Sequence, residues 1–155
     1  MGAVAERATA PKRRRGAKTF FANSPLTFLD VGDSTRTIEL IRKGLPAASI
    51  DYVAKLLSLS RAALLDAIKI PLSTIERRLR TGEALSAEES DRVSRVAKVV
   101  RRAVEVFGDD EQGKAWMTDT ISSLGGKTPL SLLDTMEGYE LVVATLYRIE
   151  YGVYA

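Results

Sequence analysis

One stretch, from Ser86 to Gly108, limits the possible folds of this chain more than any other. It begins with the sequence SAEE, which has the spacing of a capping box: the serine hydroxyl accepts from the amide of Glu89, whose side chain reaches back. Apolar residues then recur every three or four positions, as on one face of a helix. They are Val93, Val96, Ala97, Val100, Ala103, Val104 and Phe107. This spacing predicts a long helix with a buried seam, which belongs either to the core or to a dimer interface.

Shorter helices are predicted on both sides of the long one. Before it, caps and apolar spacing predict helices over 35–43, after Ser49, after Ser60 and over 74–80, the last capped by Ser73. The segment 20–33 is expected to cover part of the core without regular structure. Beyond the long helix, we expect one that is capped by Asp109 or Asp110 and carries Trp116, Met117, Ile121 and Leu124. No segment shows the strict alternation of a strand, so the predicted fold class is all-α.

A short helix is predicted to begin at Thr128 and Pro129, and the last helix is predicted over 135–151. This last helix is apolar on two faces. The first stripe suits a core and comprises Tyr139, Val142, Val143, Leu146 and Ile149. The second comprises Ala144, Tyr147, Arg148 and Tyr151. A helix with two such faces is expected to contact two different surfaces. The chain then ends in an apolar tail, which either folds back onto the region of Trp116 or is kept for a partner.

The composition argues against an enzyme. The chain has no cysteine and no histidine, so thiolate chemistry, disulfides and the commonest general base and metal ligand are excluded. No nucleophile stands beside a base, and no carboxylates are grouped as for a metal ion. We therefore expect no catalytic residues, no metal site and no cofactor. No apolar run has the length of a secretory signal or a membrane span, so we expect a cytoplasmic protein without membrane contact.

Charge is distributed unevenly along the chain. Residues 1–18 carry six basic side chains against one acidic one, a net charge of +5, and are predicted to be a disordered basic arm. This arm either adds non-specific attraction to nucleic acid or is a solvated tail of no consequence. Residues 103–155 carry three basic side chains against nine acidic ones, a net charge of −6. The split favours two different partners for the two halves.

The segment RAALLDAIKIPLSTIERRLR, residues 61–80, resembles a Cro/repressor-type helix-turn-helix. Leu64, Ile68, Ile70 and Ile75 fall at the positions where the two helices pack. Three positions depart from the pattern: Leu65 stands where a small residue is usual, Lys69 where glycine is usual, and Arg78 where an apolar residue is frequent. The expected DNA contacts are Ser73, Thr74, Arg77, Arg78 and Arg80. The alternative is a helical hairpin that has kept the shape without binding DNA.

From about Gly44 to Ala155 the chain resembles the Xre/MbcA/ParS-type antitoxins of toxin–antitoxin systems. The resemblance depends on the segments GLPAASIDYVAKLL, RRLRTGEALSAEESDRVSRVAKV, VFGDDEQGKAWM and LGGKTPLSLLDTMEGYELVVATLYRIEYGVYA. The final segment is the most specific, with its GG-x-TP, EG and RIEYG motifs. The family has an N-terminal helix-turn-helix region and a C-terminal toxin-binding domain.

This resemblance implies a protein partner, a RES-domain toxin that consumes NAD, whose NAD-binding cleft the antitoxin covers. It also implies operator DNA as a second partner, and we expect a homodimer. The expected division is a helical region with the helix-turn-helix over 19–103, packed on a toxin-binding domain over 104–155. Trp116, Leu133 and Gly138 are expected to determine the fold of that domain. The expected toxin contacts are Gly125, Gly126, Lys127, Tyr147, Arg148, Tyr151, Gly152, Val153, Tyr154 and Ala155.

Two functions therefore compete. The first is an antitoxin that also represses its own operon, with the tail after Gly152 inserted into the toxin cleft. The second is a plain helix-turn-helix transcription regulator whose C-terminal helices serve only dimerisation. Arg148 and Tyr154 favour the first, because a dimerisation domain has little use for them beyond its seam.

Overall fold

The central element of the fold is the long helix that the sequence predicts. The computed structural model describes residues 20–152, and within this range there are eight α-helices and two short 3₁₀ helices but no β-strand. The basic arm predicted over 1–18 lies outside the described residues. The α-helices are α1 Phe28–Val31, α2 Ser34–Lys43, α3 Ala48–Leu56, α4 Arg61–Ala67, α5 Leu72–Thr81, α6 Ala87–Phe107, α7 Asp110–Trp116 and α8 Met136–Tyr151. The 3₁₀ helices are Ser122–Leu124 and Leu130–Leu132.

Helix α6 has both of its predicted ends. The Ser86 hydroxyl accepts from the Glu89 amide at 3.1 Å, and the Glu89 carboxylate accepts from the Ser86 amide at 3.2 Å, so the capping box is complete. Gly108 ends the helix in the left-handed conformation, at φ 68°. The predicted seam is buried from Val93 to Ala103, because α2 and α3 pack on the helix as well as α7 and α8. The seam is therefore core.

The segment before α2 is fixed to α6 by Arg101. Phe21, Phe28 and Leu29 are buried, as expected for a segment that covers part of the core, and one turn of it is helical. The Arg101 guanidinium donates to the Leu29 carbonyl at 2.5 Å and lies 5.6 Å from the centre of the Phe21 ring. Asp30 accepts from the Phe21 amide at 2.7 Å. The Arg101 guanidinium of α6 thus fixes this apolar segment to the core.

Helices α3 and α4 begin differently from each other. Ser60 caps α4, as predicted, and accepts from the Ala63 amide at 3.1 Å. Ser49, predicted to cap α3, lies inside that helix, and its buried hydroxyl makes no hydrogen bond in the described part of the chain. Asp51 of α3 accepts two hydrogen bonds from Arg61 of α4, at 2.7 and 2.8 Å. This side-chain hydrogen bond raises the pKa of Arg61 and joins the two helices.

Helix α7 is shorter than predicted. Asp109 caps it and accepts from the Gln112 amide at 3.0 Å, but the helix ends at Trp116, with Met117 as its C-terminal cap, and does not include Ile121 or Leu124. The Met117 carbonyl accepts from the Leu130 amide at 3.0 Å. That contact across the loop replaces the hydrogen bonds with which the helix would continue. Ile121 instead pairs with Lys127 in an isolated antiparallel bridge.

The C-terminal half packs closely on the other side of α6. Trp116 and Leu133 are buried, and the rings of Trp116 and Phe107 are 6.0 Å apart. A β-carbon at Gly138 would lie 1.7 Å from the Leu132 carbonyl oxygen, so α8 passes too close to the second 3₁₀ helix for any side chain. These residues have the structural role that was expected of them. Because α6 contributes to both halves, the expected boundary between residues 103 and 104 falls inside a helix.

Candidate functional site

The outer face of α5 carries the residues that were predicted to contact DNA. Ser73, Arg77 and Arg80 are exposed, and Thr74 is partly buried. The helix begins at Leu72 with Pro71 as its cap, so the prediction that Ser73 caps it is wrong. The proline ring fixes the backbone φ angle of Pro71 at the start of the helix, so Ser73 lies in the first turn and does not cap it. Arg77 lies 3.7 Å from Glu83 in a half-exposed ion pair, which holds the side chain only weakly.

Arg78 points away from that face. Its side chain is only 16% exposed, and its guanidinium lies 2.9 Å from the Glu89 carboxylate and 3.2 Å from that of Glu83. It also donates to the Ala84 carbonyl at 3.2 Å. The charge is thus fully occupied within the protein, joining α5 to the capping box of α6. This geometry argues against Arg78 as a DNA contact and gives it a structural role.

The outer face of α8 is an exposed and largely apolar surface of the C-terminal half. Tyr147 and Tyr151 are 56% and 47% exposed, and their rings are 4.5 Å apart. Arg148 is exposed beside them, and Ala144 is partly buried. Leu141, 43% exposed, extends this surface by almost one turn beyond Ala144 and was not predicted, although its spacing from Arg148 places it on the same side of the helix. We call these five residues the α8 outer face.

The opposite face of α8 is the core stripe. Val142 and Leu146 are fully buried there, as the sequence predicts, and Thr145 is buried with them. Glu150 is also turned inward and forms an ion pair with Arg102 of α6. The C-terminal end of α8 is therefore fixed to the core by a charge pair, which leaves the tyrosines of the other face in a defined position.

The predicted glycine loop is exposed and tightly turned. Gly125 and Gly126 have φ values of 68° and 75°, and the Gly126 amide donates to the Ile121 carbonyl at 3.0 Å. A β-carbon at either glycine would meet nothing within 4 Å, so conformation and not space requires glycine here. Lys127 follows and is exposed. The adjoining 3₁₀ helix Ser122–Leu124 packs on α8, so the loop lies next to α8.

Helix α8 ends at Gly152, which is left-handed at φ 63°. The three remaining residues to which toxin contacts were assigned, Val153, Tyr154 and Ala155, lie outside the described residues. Between residues 20 and 152, no three side chains of the kinds that bind metals come together. None of the helices in that range is long and apolar enough to cross a membrane.

Comparison with known proteins divides the chain into two matched regions. Residues 36–98 match the antitoxin Xre-like helix-turn-helix domain, and residues 102–152 match the antitoxin Xre/MbcA/ParS C-terminal toxin-binding domain. The two matches meet inside α6. They agree with the expected order of a helix-turn-helix region followed by an antitoxin domain.

Several curated relatives match most of the chain. "Antitoxin Xre" of Yersinia enterocolitica is 34% identical over 129 residues, which are 82% of this chain and 86% of the relative. "Antitoxin Xre" of Photorhabdus laumondii is 31% identical over 74% of this chain and 78% of the relative. "Prs ADP-ribosylating antitoxin" of a Sphingobium species is 29% identical over 76% of this chain and 80% of the relative. All three are named as antitoxins, in agreement with the expectation of a protein that is not an enzyme.

Proposed function

This chain belongs to the Xre antitoxin family, and we propose that it neutralises a RES-domain, NAD-consuming toxin in the cytoplasm by covering the toxin's active-site cleft. The observation that carries this proposal is the α8 outer face. A pair of adjacent, half-exposed tyrosines beside an arginine has the composition of an interface centre, where aromatic and arginine side chains supply most of the binding free energy.

The charge of the C-terminal half supports the same partner. A cleft that binds the anionic dinucleotide NAD presents positive charge, and residues 103–155 carry a net charge of −6. Complementary charges of this kind accelerate association and orient the two proteins. We therefore propose that the α8 outer face and the loop Gly125–Lys127 contact the toxin around its cleft.

We further propose that the tail after Gly152 enters the cleft. Removal of residues 153–155 keeps Gly152, and with it the hydrogen bond from its amide to the Ile149 carbonyl, so the end of α8 is preserved. We expect the truncated protein to inhibit NAD consumption by the toxin at least thirtyfold less well. A single buried tyrosine at an interface centre contributes about 2 kcal/mol. Tyr154→Ala alone should show most of this loss.

The measurement is NAD consumption by the toxin encoded beside this gene, titrated with full-length and truncated antitoxin. The control is the melting temperature of the free antitoxin. A clear fall in that temperature would show that the tail packs on its own core near Trp116. Full inhibition by a stable truncated protein would show that the α8 outer face suffices without the tail.

For the N-terminal half we propose binding to the operator of its own gene, as a homodimer, and repression of that operon. The support is the exposed α5 with Arg77 and Arg80 on its outer face. An operator with two half-sites one helical turn apart would be bound by two symmetric copies, one α5 in each half-site. Sedimentation of the free protein tests the dimer. A plain transcription regulator is the alternative, and it predicts no inhibition of the neighbouring toxin.

The double replacement Arg77→Ala and Arg80→Ala should weaken binding to the DNA upstream of the gene. A bidentate base contact contributes about 1–3 kcal/mol, and a phosphate contact mainly lowers the dependence on salt. Replacing Arg42 and Lys43 together by alanine is the matched control, because it removes two positive charges from exposed positions of another helix, α2. We expect this control to bind the upstream DNA like the unaltered protein. Equal DNA affinity of the α5 double variant and the unaltered protein would remove α5 as the recognition helix.

A further inference from the structure

The turn between α4 and α5 contains a residue in an unfavourable backbone conformation. Lys69 has φ 59°, in the left-handed region, and the Ile70 amide donates back to the Leu65 carbonyl at 3.0 Å. This is the hydrogen bond of a Schellman motif, whose left-handed position is usually occupied by glycine. A side chain at that position destabilises the turn relative to glycine. Such a turn therefore gains from any further contact that stabilises it.

Arg92 of α6 supplies that stabilisation. Its guanidinium donates to the Lys69 carbonyl at 2.9 Å and to the Ile68 carbonyl at 3.3 Å. The last carbonyls of a helix have no partner within the helix, and together they form its negative end, which favours a cation. One guanidinium from α6 therefore stabilises both the end of α4 and the left-handed residue that follows it.

This turn determines the direction in which α5 leaves. The helix begins at Leu72, three residues after Lys69, and its other end is fixed to α6 through the ion pair of Arg78 and Glu89. Helix α5 is thus attached to α6 at both ends. The Arg92 guanidinium donates its hydrogen bonds to backbone carbonyls of the turn. Arg92 would therefore affect DNA binding through the turn and not through a direct contact.

We propose that Arg92 is a positioning residue for DNA recognition: it stabilises the left-handed turn at Lys69 and so fixes the orientation of α5. This inference rests on the proposed binding of α5 to the operator. A misdirected α5 loses the base contacts, which depend on alignment, but keeps its charge near the phosphates. The effect of Arg92 should therefore appear in sequence-specific binding and not in non-specific binding.

The test compares the affinities of the full-length protein for a labelled duplex of the DNA upstream of its gene and for a scrambled duplex of equal length. Arg92→Ala should weaken binding to the upstream duplex by about tenfold, a usual size for an effect transmitted through the protein. Binding to the scrambled duplex and the salt dependence should stay unchanged, since no phosphate contact is lost. Lys98→Ala is the control, because it removes a positive charge from the same helix at a residue without a hydrogen bond or ion pair among the described residues.

A second variant separates positioning from loss of charge. Glycine adopts the left-handed conformation without the penalty, so adding Lys69→Gly to Arg92→Ala should restore binding to the upstream duplex to within about threefold of that of Lys69→Gly alone. Circular dichroism shows whether Arg92→Ala folds. If it does not fold, the comparison of the double variant with Lys69→Gly takes the place of the comparison of Arg92→Ala with the unaltered protein. A double variant that binds about tenfold more weakly than Lys69→Gly would overturn the proposal.

Two other results would also overturn it. Equal losses on both duplexes, with a smaller salt dependence, would make Arg92 a phosphate contact. No loss on either duplex would mean that the turn holds without Arg92, and operator binding by α5 would still stand if Arg77→Ala with Arg80→Ala weakens it. If the unaltered protein does not prefer the upstream duplex, the proposed operator binding and this inference both fail.

Discussion

Replacing Tyr147 and Tyr151 together by alanine is expected to weaken inhibition of the toxin about a hundredfold or more and to leave the antitoxin folded. Two aromatic hot spots at about 2 kcal/mol each would give roughly a thousandfold if they were independent. Their rings are 4.5 Å apart, so their effects should not add fully. Both rings are about half exposed in the free protein, and substitutions at exposed positions usually change stability by about 0.5 kcal/mol or less.

The measurement is again NAD consumption by the neighbouring toxin, titrated with each variant. Met136→Ala is the matched control. Met136 is an apolar residue of the same helix, 53% exposed, and it lies about 16 Å from Tyr147 along the axis at 1.5 Å per residue. We expect Met136→Ala to inhibit like the unaltered protein. If the double tyrosine variant also inhibits like the unaltered protein, the α8 outer face is not the toxin-binding surface.

Gly138→Ala should destabilise the protein by about 3 kcal/mol or more. Two effects of opposite sign compete at this position. Alanine in place of glycine inside a helix favours folding by about 1 kcal/mol. Against this, the added β-carbon would lie 1.7 Å from the Leu132 carbonyl oxygen and 2.7 Å from its carbon, and neither can move without displacing the second 3₁₀ helix. Overpacking against fixed atoms costs about 1–3 kcal/mol and more when backbone must shift, so the clash prevails.

Urea unfolding of the purified protein measures this difference. Gly82→Ala is the control, because its β-carbon would meet nothing within 4 Å and only its left-handed φ of 75° opposes the change. That penalty is about 1 kcal/mol. If Gly138→Ala proved as stable as the unaltered protein, α8 would not approach the second 3₁₀ helix closely enough to exclude a β-carbon.

The sequence by itself determined the elements whose signals are local. The capping box at Ser86 and the glycine at 108 fix the ends of α6, since both act through hydrogen bonds and backbone angles within a few residues. The two apolar faces of α8 follow from helical periodicity alone, and its end follows from the glycine at position 152, which adopts the left-handed conformation. The antitoxin family could also be recognised at this level, because its motifs are short and contiguous.

Only the tertiary structure decided which way several side chains point. The sequence shows Arg77, Arg78 and Arg80 as one basic run, yet Arg78 is turned inward because Glu89 of another helix neutralises it there. Helix α7 ends at Trp116 because the Met117 carbonyl bonds the amide of Leu130, a contact that no local pattern announces. In both cases the deciding partner lies more than ten residues away along the chain. Its position depends on how the helices pack, so periodicity and capping rules could not supply it.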